Sequence, residues 1–168
     1  MNWFWQRKVE NQSTPDIASS ILYDETTFYN KFTHDLLQAK EEVIIESPYI
    51  TVHRLRKLKY VFKTLAKRGV NVIIVTKPPQ EHDEIMAEHA EAGIRFFEAL
   101  GSQVLLCNGG HHRKLAMIDR QILWEGSLNI LSQSHSREFM RRIESKKLTE
   151  EMFKFLKFDT LEFFKKKI

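Results

Sequence analysis

His112, Lys114, Asp119, Ser127 and Asn129 fall in one short run from Gly109 to Asn129, spaced as H-x-K-x4-D-x6-G-S-x-N. An imidazole is a nucleophile or base near neutral pH, and an ammonium is a cation with three donors. A hydroxyl and an amide add neutral hydrogen-bonding groups. Together they form a set that can hold a phosphate and attack it. The residues between them supply the means of convergence. His112-Arg113-Lys114 and the apolar Leu115-Ala116-Met117-Ile118 read as one strand. Alternate side chains of a strand share a face, which groups His112 with Lys114. Asp119-Arg120-Gln121 reads as a polar turn. Ile122-Leu123-Trp124-Glu125 then returns as the second strand of a hairpin and delivers Gly126-Ser127-Leu128-Asn129 beside the first. The bland alternative is a structural hairpin with a few polar surface residues.

The elements that must position this run alternate between strand and helix. Asp16 to Leu22 reads as a first short element, and Asp24 or Thr26 caps a helix to about Lys40. Phe28, Phe32, Leu36 and Leu37 form that helix's buried face. Val43–Glu46 reads as a buried strand, with Ser47-Pro48-Tyr49 at its end. His53 to Arg68 reads as a helix without acidic residues, with Arg54, Arg56, Lys57, Lys59, Lys63, Lys67 and Arg68. Such a charged face is ordinarily solvated surface. The lack of acids makes Arg54 and Lys57 candidate contacts to a polyanion. Gly69 ends the helix. Val70–Val75 is a β run, so strand, helix and strand imply a parallel pair. Glu81 to Leu100 reads as a helix interrupted at Gly93, followed by a strand over 102–107. Asn108-Gly109-Gly110 is a turn in which Gly110 permits close backbone approach to a ligand. Residues 147–168 read as a Phe-rich helix, packed on the sheet or on another copy. The fold expected is α/β, with a mixed, largely parallel central sheet flanked by helices on both faces. It forms one domain over 1–168, with 1–23 as an N-terminal arm carrying Trp3-Phe4-Trp5.

Composition narrows the function classes. The 168 residues are 42% hydrophobic and 29% charged, as in ordinary globular domains. The net charge of +4 and pI near 9.1 suit a polyanionic partner without demanding one. No apolar run approaches the roughly 20 residues that cross a bilayer. The N-terminus has no secretory h-region, and Cys107 is the single cysteine. A cytoplasmic setting is the expectation. Cys107, His111, His112 and His135 match no common zinc spacing.

The motif run resembles the HKD motif of the phospholipase D superfamily, with each motif position present at the family spacing. That resemblance implies phosphodiester transfer through a phosphohistidine, with one histidine attacking phosphorus and another protonating the leaving oxygen. It implies His112 as nucleophile, Lys114 and Asn129 on the phosphate oxygens, and Ser127 hydrogen-bonding within the site. It implies an acid downstream of the G-S-x-N segment that orients the imidazole. Glu138 is preferred for that role over Asp119, which has a structural pairing as its alternative. Tyr49 is a candidate for lining the site, since strand ends are where α/β ligands bind. HxK occurs once, so the expectation is a homodimer that brings two copies of His112 together. No metal or cofactor is required, because two lysines offset the developing charge. The expected activity is an endonuclease on DNA, with RNA as a further substrate. The alternatives are a phospholipase or cardiolipin-type hydrolase, and a nucleic-acid-binding module without turnover.

Overall fold

The computed structural model describes residues 18–160. The Trp3-Phe4-Trp5 cluster and the final lysines lie outside them. The described strands form one seven-stranded sheet in the order β1-β7-β6-β5-β2-β3-β4. These are β1 (Ser19–Asp24), β2 (Glu42–Glu46), β3 (Asn71–Thr76), β4 (Gln103–Leu106), β5 (Leu115–Ile118), β6 (Ile122–Gly126) and β7 (Phe139–Glu144). The helices are α1 (Phe28–Gln38), α2 (Val52–Lys67), α3 (Glu84–Ala99) and α4 (Lys146–Phe155).

The sheet is mixed, with helices on both faces, as the strand–helix alternation suggested. The parallel share is smaller than expected. β2, β3 and β4 run parallel, whereas β5, β6, β7 and β1 attach as antiparallel neighbours. The reason is local: β5, β6 and β7 follow one another without a crossover helix, and neighbouring strands linked in that way pair antiparallel. Strand β7 had no counterpart in the sequence reading, and the short element expected over 16–22, inside the segment taken as an N-terminal arm, is β1 at Ser19–Asp24.

Alternation along the strands divides the core. Val43, Ile45, Val72, Ile74, Ala116, Ile118 and Trp124 face α1, α2 and α3. Ile44, Ile73, Val75, Leu115, Met117 and Leu123 face α4 and the turn after it. On the first face Trp124 is fully buried, edge-on to Phe28 and Phe32 at 5.1 and 5.9 Å. Each such ring contributes roughly 1.5–3 kcal/mol by burial.

The ends of the helices follow their residues. The Asp24 carboxylate accepts from the Thr26 and Thr27 amides ahead of α1, and Thr51 and Asp83 cap α2 and α3. α3 runs unbroken through Gly93, where an interruption was expected. A Cβ there would stand 2.4 Å from Ile50 Cγ2, so the glycine serves helix-to-loop packing. α4 is shorter than the expected 147–168 helix. It stops at Phe155, and Lys157 takes φ of 61°, a left-handed conformation that ends a helix.

Candidate active site

Antiparallel order explains how distant residues meet. β5 runs against β2, β6 against β5 and β7 against β6. The start of β5, the end of β6, the start of β7 and the end of β2 therefore share one edge of the sheet. His112 and Lys114 precede β5, Ser127 and Asn129 follow β6, and Glu138 precedes β7. All five line a cleft of about 940 Å³ together with Arg113, Arg141, Phe139 and the α4 residues Met152 and Phe155.

The strand expected over 112–118 begins only at Leu115, and residues 112–114 are irregular. His112 and Lys114 still converge. The Lys114 ammonium lies 2.6 Å from His112 Nδ1 and donates to the His112 carbonyl at 2.7 Å. Burial lowers the Lys114 pKa, with Lys77 acting the same way and Glu138 opposing both. His112 is exposed while its neighbour His111 is buried.

One further residue holds the 111–114 segment from below. Glu46, buried at the end of β2, takes Arg113 Nε at 2.6 Å and Nη2 at 3.2 Å. His111 Nε2 lies 4.0 Å from the same carboxylate. Burial, helped by the surrounding cations, pushes the His111 pKa down to about 4, so it stands there neutral at pH 7. Burial also raises the Glu46 pKa, and Arg113 counteracts this.

Across the cleft, Gly126 explains the glycine of the motif. A Cβ there would meet the Phe139 carbonyl at 2.2 Å and Met140 Cα at 2.9 Å. Only a residue without a side chain lets β6 approach β7 this closely. Ser127 Oγ donates to the Glu138 carboxylate in a short bond and accepts from the Phe139 amide at 3.2 Å. Glu138 also takes the Ser136 hydroxyl at 2.9 Å. Within this chain Glu138 thus shares the cleft with His112 but is bonded to serines, not to the imidazole. Asn129 Oδ1 is buried, with no hydrogen-bond partner among the described residues. A buried acceptor left in that state costs about 1–3 kcal/mol, which a ligand donor in the cleft would offset.

Four expected residues stand elsewhere. Asp119 lies at the opposite end of β5, where its carboxylate accepts from the Lys40, Glu41 and Glu42 amides at 2.9 Å each. It ties the β5–β6 turn to the start of β2 and is too far along the strand to reach His112. Arg54 is buried, stacked 3.6 Å over Tyr29 and bonded to the Gln133 carbonyl. Its guanidinium is committed within the fold. Lys57 is exposed on α2 but does not line the cleft. Gly110 takes φ of 80° in the turn before the motif and lines no part of the cleft either. Tyr49 is at the expected strand end, against the His82 ring and under the Lys77 ammonium, but it does not line the cleft. Lys77 was not selected from the sequence, because a lone lysine after a strand carries no pattern.

The comparisons with known proteins agree with this geometry. A family model described as "Cardiolipin synthase, PLD-like domain" matches residues 32–159. The chain belongs to the phospholipase D superfamily. Members of this superfamily are phosphodiesterases and phosphotransferases. Cardiolipin synthase A of Buchnera aphidicola subsp. Acyrthosiphon pisum (strain Tuc7) is 27% identical over 139 residues, covering 74% of this chain. The match spans 26% of that relative, about a quarter of its length. Two solved structures share the fold. NucT from Helicobacter pylori superposes with a TM-score of 0.68 at 19% identity, covering 82% of this chain and 92% of its own. Nuc from Salmonella typhimurium, a phospholipase D family member, gives 0.66 at 18% identity over 82% and 90%.

Proposed function

We propose that the chain is a metal-independent phosphodiesterase acting on nucleic acid, DNA above all, through a phosphohistidine at His112. The observation that carries this is the His112–Lys114 pair at the mouth of a cleft also lined by Ser127, Asn129 and Glu138. A substrate phosphate draws the ammonium to a non-bridging oxygen. The freed ring carries its proton on Nδ1, for which Glu138 is the acceptor in the cleft, and Nε2 presents a lone pair to phosphorus. The Nε2–P bond forms as the P–O bond to the leaving group breaks. Water then attacks the phosphohistidine and releases the second product.

The leaving oxygen needs a proton from the side opposite the attack. One histidine cannot serve both ends of an in-line displacement, and the chain has one HxK sequence. A second copy, related by two-fold symmetry, supplies its own His112 as the general acid and then as the base for water. Arg141 adds a cation to the cleft wall, which suits a polyanionic strand.

A second reading has its own support. Met152, Phe155, Leu156 and Phe139 make one wall of the cleft apolar, and Phe155 is 69% exposed. Such a wall suits acyl chains, and the curated relative is named cardiolipin synthase A. Cleavage assays in excess EDTA separate the readings, with single-stranded and plasmid DNA beside vesicles of phosphatidylglycerol and cardiolipin. The expected result is DNA cleavage by the native protein and a loss of about 10³-fold or more in His112→Ala. Hydrolysis confined to the vesicles would transfer the assignment to lipid, and DNA binding without turnover of either would make the chain a binding module.

A further inference from the structure

We infer that Lys77 forms a second anion subsite, which takes a phosphate flanking the scissile one on the same nucleic-acid strand. The inference rests on the phosphodiesterase reading above. Lys77 follows β3, and the register places it at the sheet edge that carries the cleft: Val75 pairs with Glu46, and Glu46 with Leu115. The Lys77 and Lys114 backbones are separated by two strand spacings, roughly 10 Å. Long, flexible lysine side chains from both sides can therefore hold neighbouring phosphates of one chain.

The surroundings leave this ammonium available. Among the described residues Lys77 makes no ion pair, and it lies over the Tyr49 ring, 5.2 Å from the centroid. A ring face steadies a cation without neutralising it. Tyr49 in turn packs against His82, with ring centroids 5.1 Å apart. The nearby carboxylates are spent on backbone amides: Asp83 on Met86 and Glu81 on Gly109. Glu46 is taken by Arg113. His82 Nε2 and His111 Nε2 are buried beside this group without a hydrogen-bond partner among the described residues. The positive charge of Lys77 is felt at His82, His111 and Lys114 alike, lowering the pKa of each. A half-buried, uncompensated cation beside the phosphate-handling pair is an arrangement that an added anion stabilises.

The test compares Lys77→Ala and Lys77→Arg with the native protein on two substrates in EDTA. One is a single-stranded oligodeoxynucleotide; the other is bis(p-nitrophenyl) phosphate, which has no flanking phosphate. Lys77→Ala is expected to lose about tenfold in kcat/KM on the oligonucleotide, carried by KM. That loss should be at least fivefold greater than on the small diester, with Lys77→Arg recovering most of it. The slope of log Kd against log salt for the oligonucleotide should fall by about 0.7, the value for one phosphate contact on a single strand. Equal losses on both substrates would place Lys77 in the chemistry or the fold and overturn the inference, as would no loss on either. A native protein that neither binds nor cleaves the oligonucleotide overturns the functional reading as well. Lys77-dependent hydrolysis of phosphatidylglycerol vesicles in its place would assign the subsite to a lipid phosphate.

Discussion

Single residues in this protein divide by which end of β5 they occupy. His112 and Lys114 stand at one end, and Asp119, from the same motif, stands at the other with three backbone amides on its carboxylate. The motif therefore contains both chemistry and architecture, and spacing alone does not distinguish them. Asp119→Ala is expected to lose about 2–3 kcal/mol of stability in urea titration, because three donors lose a charged acceptor. Activity per folded molecule should be retained, and a selective loss of kcat would return Asp119 to the chemistry. His111 gives a prediction in pH. Its pKa falls from the usual 6.5 to about 4 in the fold. Above pH 6.5 both folded and unfolded states hold it neutral. Below that, the unfolded chain takes up a proton that the folded chain refuses, so stability falls as pH drops from about 6.5 to about 4. Urea midpoints measured across that window should decline in the native protein and decline less in His111→Asn. Equal slopes would assign the effect to another group.

Elements were legible where burial is apolar and periodic. β2 and β3 are Val/Ile runs, α1 and α2 repeat their apolar residues at helical spacing, and the β5–β6 hairpin announces itself by its polar turn. β7 was hidden because one of its buried positions is Arg142, which reads as surface. Its partner Asp35 is equally buried on α1, with Arg142 Nε at 2.6 Å and Trp124 Nε1 at 3.1 Å. β1 was legible only as a short element over 16–22, because most of its side chains are exposed and leave no alternation to fix its type or bounds. Arg54 misled in the opposite direction: a basic residue on a basic helix turned out to be a stacked, buried cation. Asp35→Ala is expected to cost about 3–5 kcal/mol, since it strands Arg142 in the core. Asp35→Leu combined with Arg142→Met should recover most of that in thermal or urea unfolding. A mild effect of the single change would mean that the pair is dispensable to the α1–β7 packing.

At the scale of the whole molecule, the sheet order is what makes a site out of scattered residues. His112, Ser127, Asn129 and Glu138 come from the ends of three strands, and the β7-β6-β5 order brings those ends to one edge. The H-x-K and G-S-x-N residues were legible because their spacing is fixed by the hairpin that joins them. Lys77 and the apolar α4 wall were not, because their proximity depends on strand order and helix placement. The cleft holds one HxK pair, and the proposed phosphohistidine chemistry at His112 assigns the general acid to a second copy. The decisive experiment is to denature the native protein at alkaline pH during turnover of an oligonucleotide, where a phosphohistidine survives, and to analyse its peptides by mass spectrometry. A covalent phosphoryl adduct on His112, approaching one per two chains, is expected, with none in His112→Ala. Steady turnover with no adduct on His112 would contradict it.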